Sequence, residues 1–222
     1  MTNLALKPIA MLLAVASSSF AADKLDVCNC KPRDEKPTDY RFAMKHIPLP
    51  DMQPQTISVQ EMLDWDQSSN PRNDAPRKGR ELQLVTIPRA YVQFAWAYRG
   101  DCDIHIEISA TPDKDAPRAI VETPVDPEYC EARKTLQSAL RDHGVELSVL
   151  QQEVSSPFPV SVRGLPYQDA KHKRGSVHVA TVWEIHPAIL EPLGDTSRLA
   201  ADDRNLIAEL RNSCPHKHAL KR

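Results

Sequence analysis

Glycine is scarce, with six residues in a chain of 222. Glycine-rich loops bring backbone N–H groups close to phosphates and dinucleotides. None of the six falls in such a loop, so that class of cofactor site is excluded. The chain also lacks a His-Glu-x-x-His motif, any comparable short metal motif and a catalytic serine motif. No apolar run is long enough to span a membrane, which takes about 20 residues as a helix. Basic excess is absent too: Lys and Arg total 28 against 30 Asp and Glu. Nonspecific binding to polyanions needs a basic surface, so it is disfavoured, although a local basic groove is not.

What is present begins at the N-terminus. Lys7 is followed by the apolar run Ile9 to Ala16 and then by Ser17-Ser18-Ser19-Phe20-Ala21-Ala22. A basic start, a short apolar stretch and small residues describe a secretory signal peptide over residues 1–21, cleaved after Ala21 or Ala22. Lys7 is its one charge, so removing it takes 28 basic residues to 27, against 30 acidic. The expected location is periplasmic or secreted. In an oxidising compartment Cys28, Cys30, Cys102, Cys130 and Cys214 should form disulfides. The pairs expected are Cys102–Cys130 and one of Cys28 or Cys30 with Cys214. An odd count leaves one thiol over, free or linking two chains as a dimer.

Prolines 32, 37, 48, 50 and 54 break up residues 22–81, read as a Cys/Pro-rich extension and linker. Within it, Ser58-Val59-Gln60-Glu61 has capping-box spacing and predicts a short helix. The polar stretch from Gln67 to Gly79 reads as a linker or exposed loop. Five strands are expected over residues 82–192: residues 82–98, 102–109, 118–123, 160–164 and 176–186, the last ended by Pro187. Between the third and fourth lies a helix, with Asp126 as N-cap, Pro127 at its first position and Gly144 as its stop. Three strands, a helix and two strands is the order of a five-stranded Greek-key OB-fold barrel. A C-terminal helix and Cys/His tail occupy residues 193–222. The fold class expected is thus mainly β with helices, an OB-fold-like barrel with irregular N-terminal and helical C-terminal extensions.

The set Gly100-Asp101-x-Asp103-x-His105, Glu122-x-Pro124, Val162-x-Gly164, Asp169-x-x-His172 and Glu184-Ile185-His186-Pro187 resembles a poorly characterised group of bacterial, often exported, OB-fold-like domains. The resemblance covers about residues 84–192 and implies fold rather than activity. The basic loop Lys171-His172-Lys173-Arg174 and the cysteine-bearing ends depart from that pattern.

Three constellations carry chemistry. Asp101, Asp103, His105, Glu107, Glu122, His172, Glu184 and His186 are carboxylates and imidazoles, and strand alternation puts Asp103, His105 and Glu107 on one face and Glu184 with His186 on another. His105, His172 and His186 are candidate metal ligands, with Asp103 or Glu184 as the base for a metal-bound water. The opposing reading of the same residues is a structural polar ladder. Tyr98, Arg99, Arg163, Lys171, Lys173 and Arg174, with strand aromatics Tyr91, Phe94, Trp96 and Trp183, are candidates for gripping a polymer ligand. Finally, Cys28 and Cys30 with Cys214, His216 and His218 could hold copper(I) or zinc if the two ends meet. The leading expectation is an exported module that binds an unknown protein or polymer, not inserted in a membrane and needing no cofactor. The alternative is a hydrolase, nuclease included, using a divalent metal.

Overall fold

The computed structural model describes residues 25–32, 41–170 and 175–194. The expected signal peptide, C-terminal helix and basic loop at 171–174, with His172, fall outside them, as does Cys214. Among the described residues there are six strands: β1 (Gln55–Thr56), β2 (Val85–Ala97), β3 (Ile104–Ser109), β4 (Arg118–Thr123), β5 (Gln152–Gln168) and β6 (Val179–Pro192). Strands β2 to β6 close a barrel in the order β2-β3-β4-β6-β5, because β5 also pairs with β2. Only β4 and β6 run parallel within it; the other barrel pairs are antiparallel. This is the OB-fold arrangement, with helix α3 (Cys130–Asp142) between the third and fourth barrel strands.

Alternation explains β3. Ile104, Ile106 and Ile108 enter the barrel core, while His105, Glu107 and Ser109 point outward. Yet all six residues are buried, as are all six of β4. The outer face of these strands is therefore covered. Long β2 turns a corner at register shifts between Ile87 and Ala90 and between Val92 and Phe94. Pro88 sits at the first, where its missing N–H interrupts no ladder.

The last strands are longer than the sequence suggests. Pro187 does not end β6. Gly164 pairs with Ala188 and Pro166 with Ile185, so β6 carries one extra residue at His186 and Pro187. A proline without a donor fits that bulge, and β6 continues to Pro192. Gly164 is required opposite it, since a Cβ there would collide with the Pro187 carbonyl oxygen and the Ile185 side chain.

Residues 55–65, ahead of the barrel, are not a linker. Ser58 caps the short helix α2 (Val59–Leu63) by accepting from the Glu61 N–H at 3.0 Å, as expected. Ile57, Val59, Met62 and Trp65 then enter the same core as the barrel. Full burial of each such side chain contributes about 1.5–3 kcal/mol. A single turn, α1 (Phe42–Lys45), precedes it. On the polar stretch, Arg77 is buried and donates to the carbonyls of Met44, Glu81, Pro166 and His186.

The disulfides differ from those expected. Cys28 bonds Cys130, and Cys30 bonds Cys102. Cys102–Cys130 pairing fails because the N-terminal segment lies over the start of α3 and takes both partners. Neither Cys28 nor Cys30 is left for Cys214. Buried Arg133 of α3 fixes this corner, donating to the carbonyls of Val27, Thr123 and Cys102 at 2.5–2.7 Å.

Candidate functional site

Where β3 begins and β6 bulges, a cluster of imidazoles and carboxylates is closed over by the N-terminal extension. Glu122 of β4 bridges two histidines. Its Oε1 lies 2.6 Å from His105 Nδ1 and its Oε2 lies 2.8 Å from His186 Nδ1, the second contact off the line of a hydrogen bond. Opposite, His186 Nε2 lies 3.0 Å from Asp103 Oδ2. His46, just after α1, brings its Nε2 to 3.4 Å from the same oxygen. Its Nδ1 bonds Asp126 Oδ2 at 2.7 Å. Glu184 Oε2 stands 3.7 Å from His186 Nδ1. Asp103 is itself oriented: its Oδ1 accepts the Val125 N–H, and its own N–H donates to Asp101 Oδ1, both at 2.9 Å.

The rings are held by packing as well. Trp96 stacks on His105 with centroids 3.6 Å apart, and Phe42 stacks on His46 at 3.9 Å. Side-chain exposure is 0% for His186, 1% for Asp103, 8% for His46 and 11% for Glu122, so the cluster is sealed.

Burial and charge set the protonation states. Burial alone pushes Glu122 up, but the nearby His186 charge and the His105 hydrogen bond outweigh it and hold Glu122 well below the usual range. Burial likewise pushes His186 down, while Glu122 and Asp103 together raise it. Asp101 is pushed up to about 8, first by burial and then by the neighbouring Asp103 and Glu122 charges. For Lys45, also buried here, desolvation is outweighed by Glu122, Asp169, Tyr167 and Asp101, so it is raised.

Among the described residues, two ligand sets are geometrically within reach of one ion: His46, Asp103 and His186, or Glu122, Glu184 and His186. The sequence-expected His105 and His186 do meet, through Glu122 rather than through a shared open point. Asp101, Asp103 and Glu184 join them. Glu107 does not; it faces Arg118 at 3.1 Å and the Ser176 hydroxyl at 2.6 Å, farther along β3. Asp126 makes no cap hydrogen bond, because a 3-10 turn (Pro127–Tyr129) opens the helix and the carboxylate serves His46 instead.

His46, Lys45 and Asp126 were not legible as site residues. The Cys30–Cys102 bond would have revealed them, since it places the chain after residue 30 beside Asp101 and Asp103.

Of the expected polymer-binding set, the described members do not lie together. Tyr98 and Arg99 are exposed beyond the end of β2, whereas exposed Arg163 pairs with Thr86 near its start. Lys171, Lys173 and Arg174 lie outside the described residues. Trp96 is occupied by His105, with Phe94 edge-on to it. A separate cleft of about 320 Å³ is lined by Asp66, Ser69, Lys78, Arg80, Gln168 and Trp183, among others. Behind it Trp183 meets Trp65 edge-on, and the Arg80 guanidinium lies 4.2 Å over the Trp65 ring. No helix among the described residues is long and apolar enough to cross a membrane. Compared with protein-family models, curated proteins and solved structures, the chain finds no match.

Proposed function

We propose that this chain is an exported OB-fold-like binding module, of the kind its motif set resembles, and not an enzyme. The observation that carries the reading is the contrast in access between its two polar regions. Groups able to do acid–base chemistry are sealed at 0–11% side-chain exposure. The open cleft instead presents exposed Lys78 and Arg80 beside Asp66 and Ser69, with only the edge of the buried Trp183 at its floor, a polar surface suited to sugars or bases with attached anionic groups. The hydrolase alternative requires a substrate to reach the sealed cluster. Two intrachain disulfides support export, since such bonds persist in oxidising compartments.

Two measurements test the reading. Expressed from its first residue in a bacterium, the chain should appear in the periplasm, shortened at Ala21 or Ala22 and carrying both disulfides by mass spectrometry. Titration with sulfated oligosaccharides and single-stranded oligonucleotides should change the fluorescence of Trp65 and Trp183. Lys78→Ala/Arg80→Ala should weaken that binding about tenfold, the loss expected for one or two charge contacts. Retention in the cytoplasm, or no response to either polymer, overturns the proposal. Nonreducing electrophoresis reads the remaining cysteine, Cys214: a dimer band is expected if it links two chains.

A further inference from the structure

Three nitrogen and oxygen atoms converge from three separate parts of the chain. His46 Nε2 comes from the extension, Asp103 Oδ2 from just before β3, and His186 Nε2 from the β6 bulge. Asp103 Oδ2 is 3.0 Å from one imidazole nitrogen and 3.4 Å from the other, and all three atoms lie within 4.8 Å of each other. Ligands on a tetrahedral zinc ion, at about 2.0–2.1 Å from the metal, stand about 3.3 Å apart. Closing the remaining gap takes only a small swing of one ring.

The surroundings are those of ligands prepared for a cation. Each ring has a carboxylate beside its other nitrogen: Asp126 Oδ2 bonds His46 Nδ1 at 2.7 Å, and Glu122 Oε2 lies 2.8 Å from His186 Nδ1. A carboxylate on the distal nitrogen is the usual support of a metal-bound histidine, since it fixes the ring and makes its free nitrogen more basic. Asp103 is oriented in the same way, with Oδ1 held by the Val125 N–H so that Oδ2 faces the rings. A plain hydrogen-bonded network accounts for less. It uses the His186 to Asp103 contact, but His46 Nε2 makes no hydrogen bond, although its side chain is only 8% exposed. A buried nitrogen that makes no hydrogen bond, 3.4 Å from a carboxylate oxygen that another imidazole already faces, calls for a third party.

We propose that His46, Asp103 and His186 form a binding site for a divalent transition-metal ion, zinc being the best match, that clasps the N-terminal extension onto the barrel. Borderline-soft ions suit two imidazoles and one carboxylate; calcium and magnesium prefer all-oxygen shells. The three protein ligands leave the fourth position to water. The ion ties residue 46 to the strands just as the disulfides tie residues 28 and 30. This site is independent of the polymer-binding reading.

The test is equilibrium dialysis of the oxidised, chelator-stripped full chain against zinc, with metal measured by mass spectrometry. One zinc per chain is expected. His46→Gln, which removes the ligand that comes from outside the barrel, should lower occupancy at least tenfold at a zinc concentration that just saturates the wild type. Glu184→Gln should leave it unchanged, because Glu184 belongs only to the other geometric set. His216→Ala/His218→Ala should also leave it unchanged, which separates this site from the tail. Cobalt(II) in place of zinc should give the visible absorption of a tetrahedral site without the near-ultraviolet band of a thiolate ligand. Mass and near-ultraviolet dichroism check that each variant keeps both disulfides and its fold. No zinc on the stripped wild type, full occupancy in His46→Gln, or loss of zinc in the tail variant each overturns the proposal.

Discussion

Arg41 and His46 fasten the same short stretch of the extension to the barrel, and they do it by opposite means. Arg41 forms a two-pronged pair with Glu81 at 2.6 and 2.9 Å, and its remaining donors reach the carbonyls of Ala75, Pro76 and Gln168. Glu81 in turn accepts the Gln168 and Lys78 N–H groups. The Arg41 and Glu81 charges match each other, and neither partner changes state near neutral pH. At His46 the pairing is looser: the carboxyls of Asp101, Asp103, Glu122, Asp126 and Glu184 surround three imidazoles, with Lys45 and the Arg133 guanidinium close by. A matched guanidinium clamp serves structure alone. A pocket of carboxyls and imidazoles in which one buried ring nitrogen makes no hydrogen bond has room for a further partner, and the two anchors can be broken separately.

The largest effect is expected at the clamp. Glu81→Ala leaves the Arg41 guanidinium, with a side chain 0% exposed, without its carboxylate. Removing one partner of a buried pair costs about 3–5 kcal/mol. Denaturant unfolding should show that loss, and Arg41→Met/Glu81→Leu should recover much of it, since two apolar side chains restore a consistent interior. If Glu81→Ala is nearly neutral, the clamp does not anchor the extension.

Next is the covalent anchor. Cys30→Ser/Cys102→Ser opens a bridge spanning 72 positions. A cost of about 2–5 kcal/mol is expected. It should fall mainly on the His46 end, because Cys102 adjoins both Asp101 and Asp103. Hydrogen exchange resolves where protection is lost; uniform loss over the Arg41 clamp would merge the two anchors into one.

Those anchors also mark where the sequence was legible. Alternating isoleucines 104, 106 and 108 and the punctuation at Pro127 and Gly144 are local signals, so strand order and helix position followed from them. The acids and histidines of β3 and β6 were readable for the same reason, since a period of two assigns a face. Burial of that outer face was not readable. It depends on which cysteines pair and on where a proline-broken segment settles, and both are decided by long-range packing. Nothing local marks Arg41, Arg77 and Arg133 as residues whose donors will meet buried carbonyls. Pro187 misled for a related reason: only the register against Gly164 shows that it occupies a bulge.

A smaller effect separates the anchors by pH. Burial pushes Glu81 up, but the hydrogen bonds from Arg41 and Gln168 and the Arg41 charge hold it below its ordinary value of 4.5. A carboxyl depressed in the folded state adds stability above its unfolded pKa and loses it as pH falls through the folded one. Acidification below about 4.5 should therefore weaken the clamp. In Glu81→Gln the melting temperature should fall less steeply on the acid side than in the wild type. Parallel acid limbs would show that other carboxyls govern the transition.

The smallest change is expected from His46→Gln with a chelator present. Without an ion, His46 contributes its bond to Asp126, whose side chain is 31% exposed and can be rehydrated, and its stacking on Phe42. Asp103 keeps His186 and the Val125 N–H. The loss should be about 1 kcal/mol, that of one hydrogen bond with no buried charge left stranded. The comparison with Glu81→Ala then turns on zinc. Adding the metal should raise the wild-type melting temperature and widen the gap to His46→Gln, because an ion that binds only the folded state stabilises it in proportion to the logarithm of its concentration over Kd. The Glu81→Ala gap should stay constant under the same titration, since the guanidinium clamp contributes no ligand. A gap that widens equally for both variants would mean that the ion, wherever it binds, does not distinguish the two anchors.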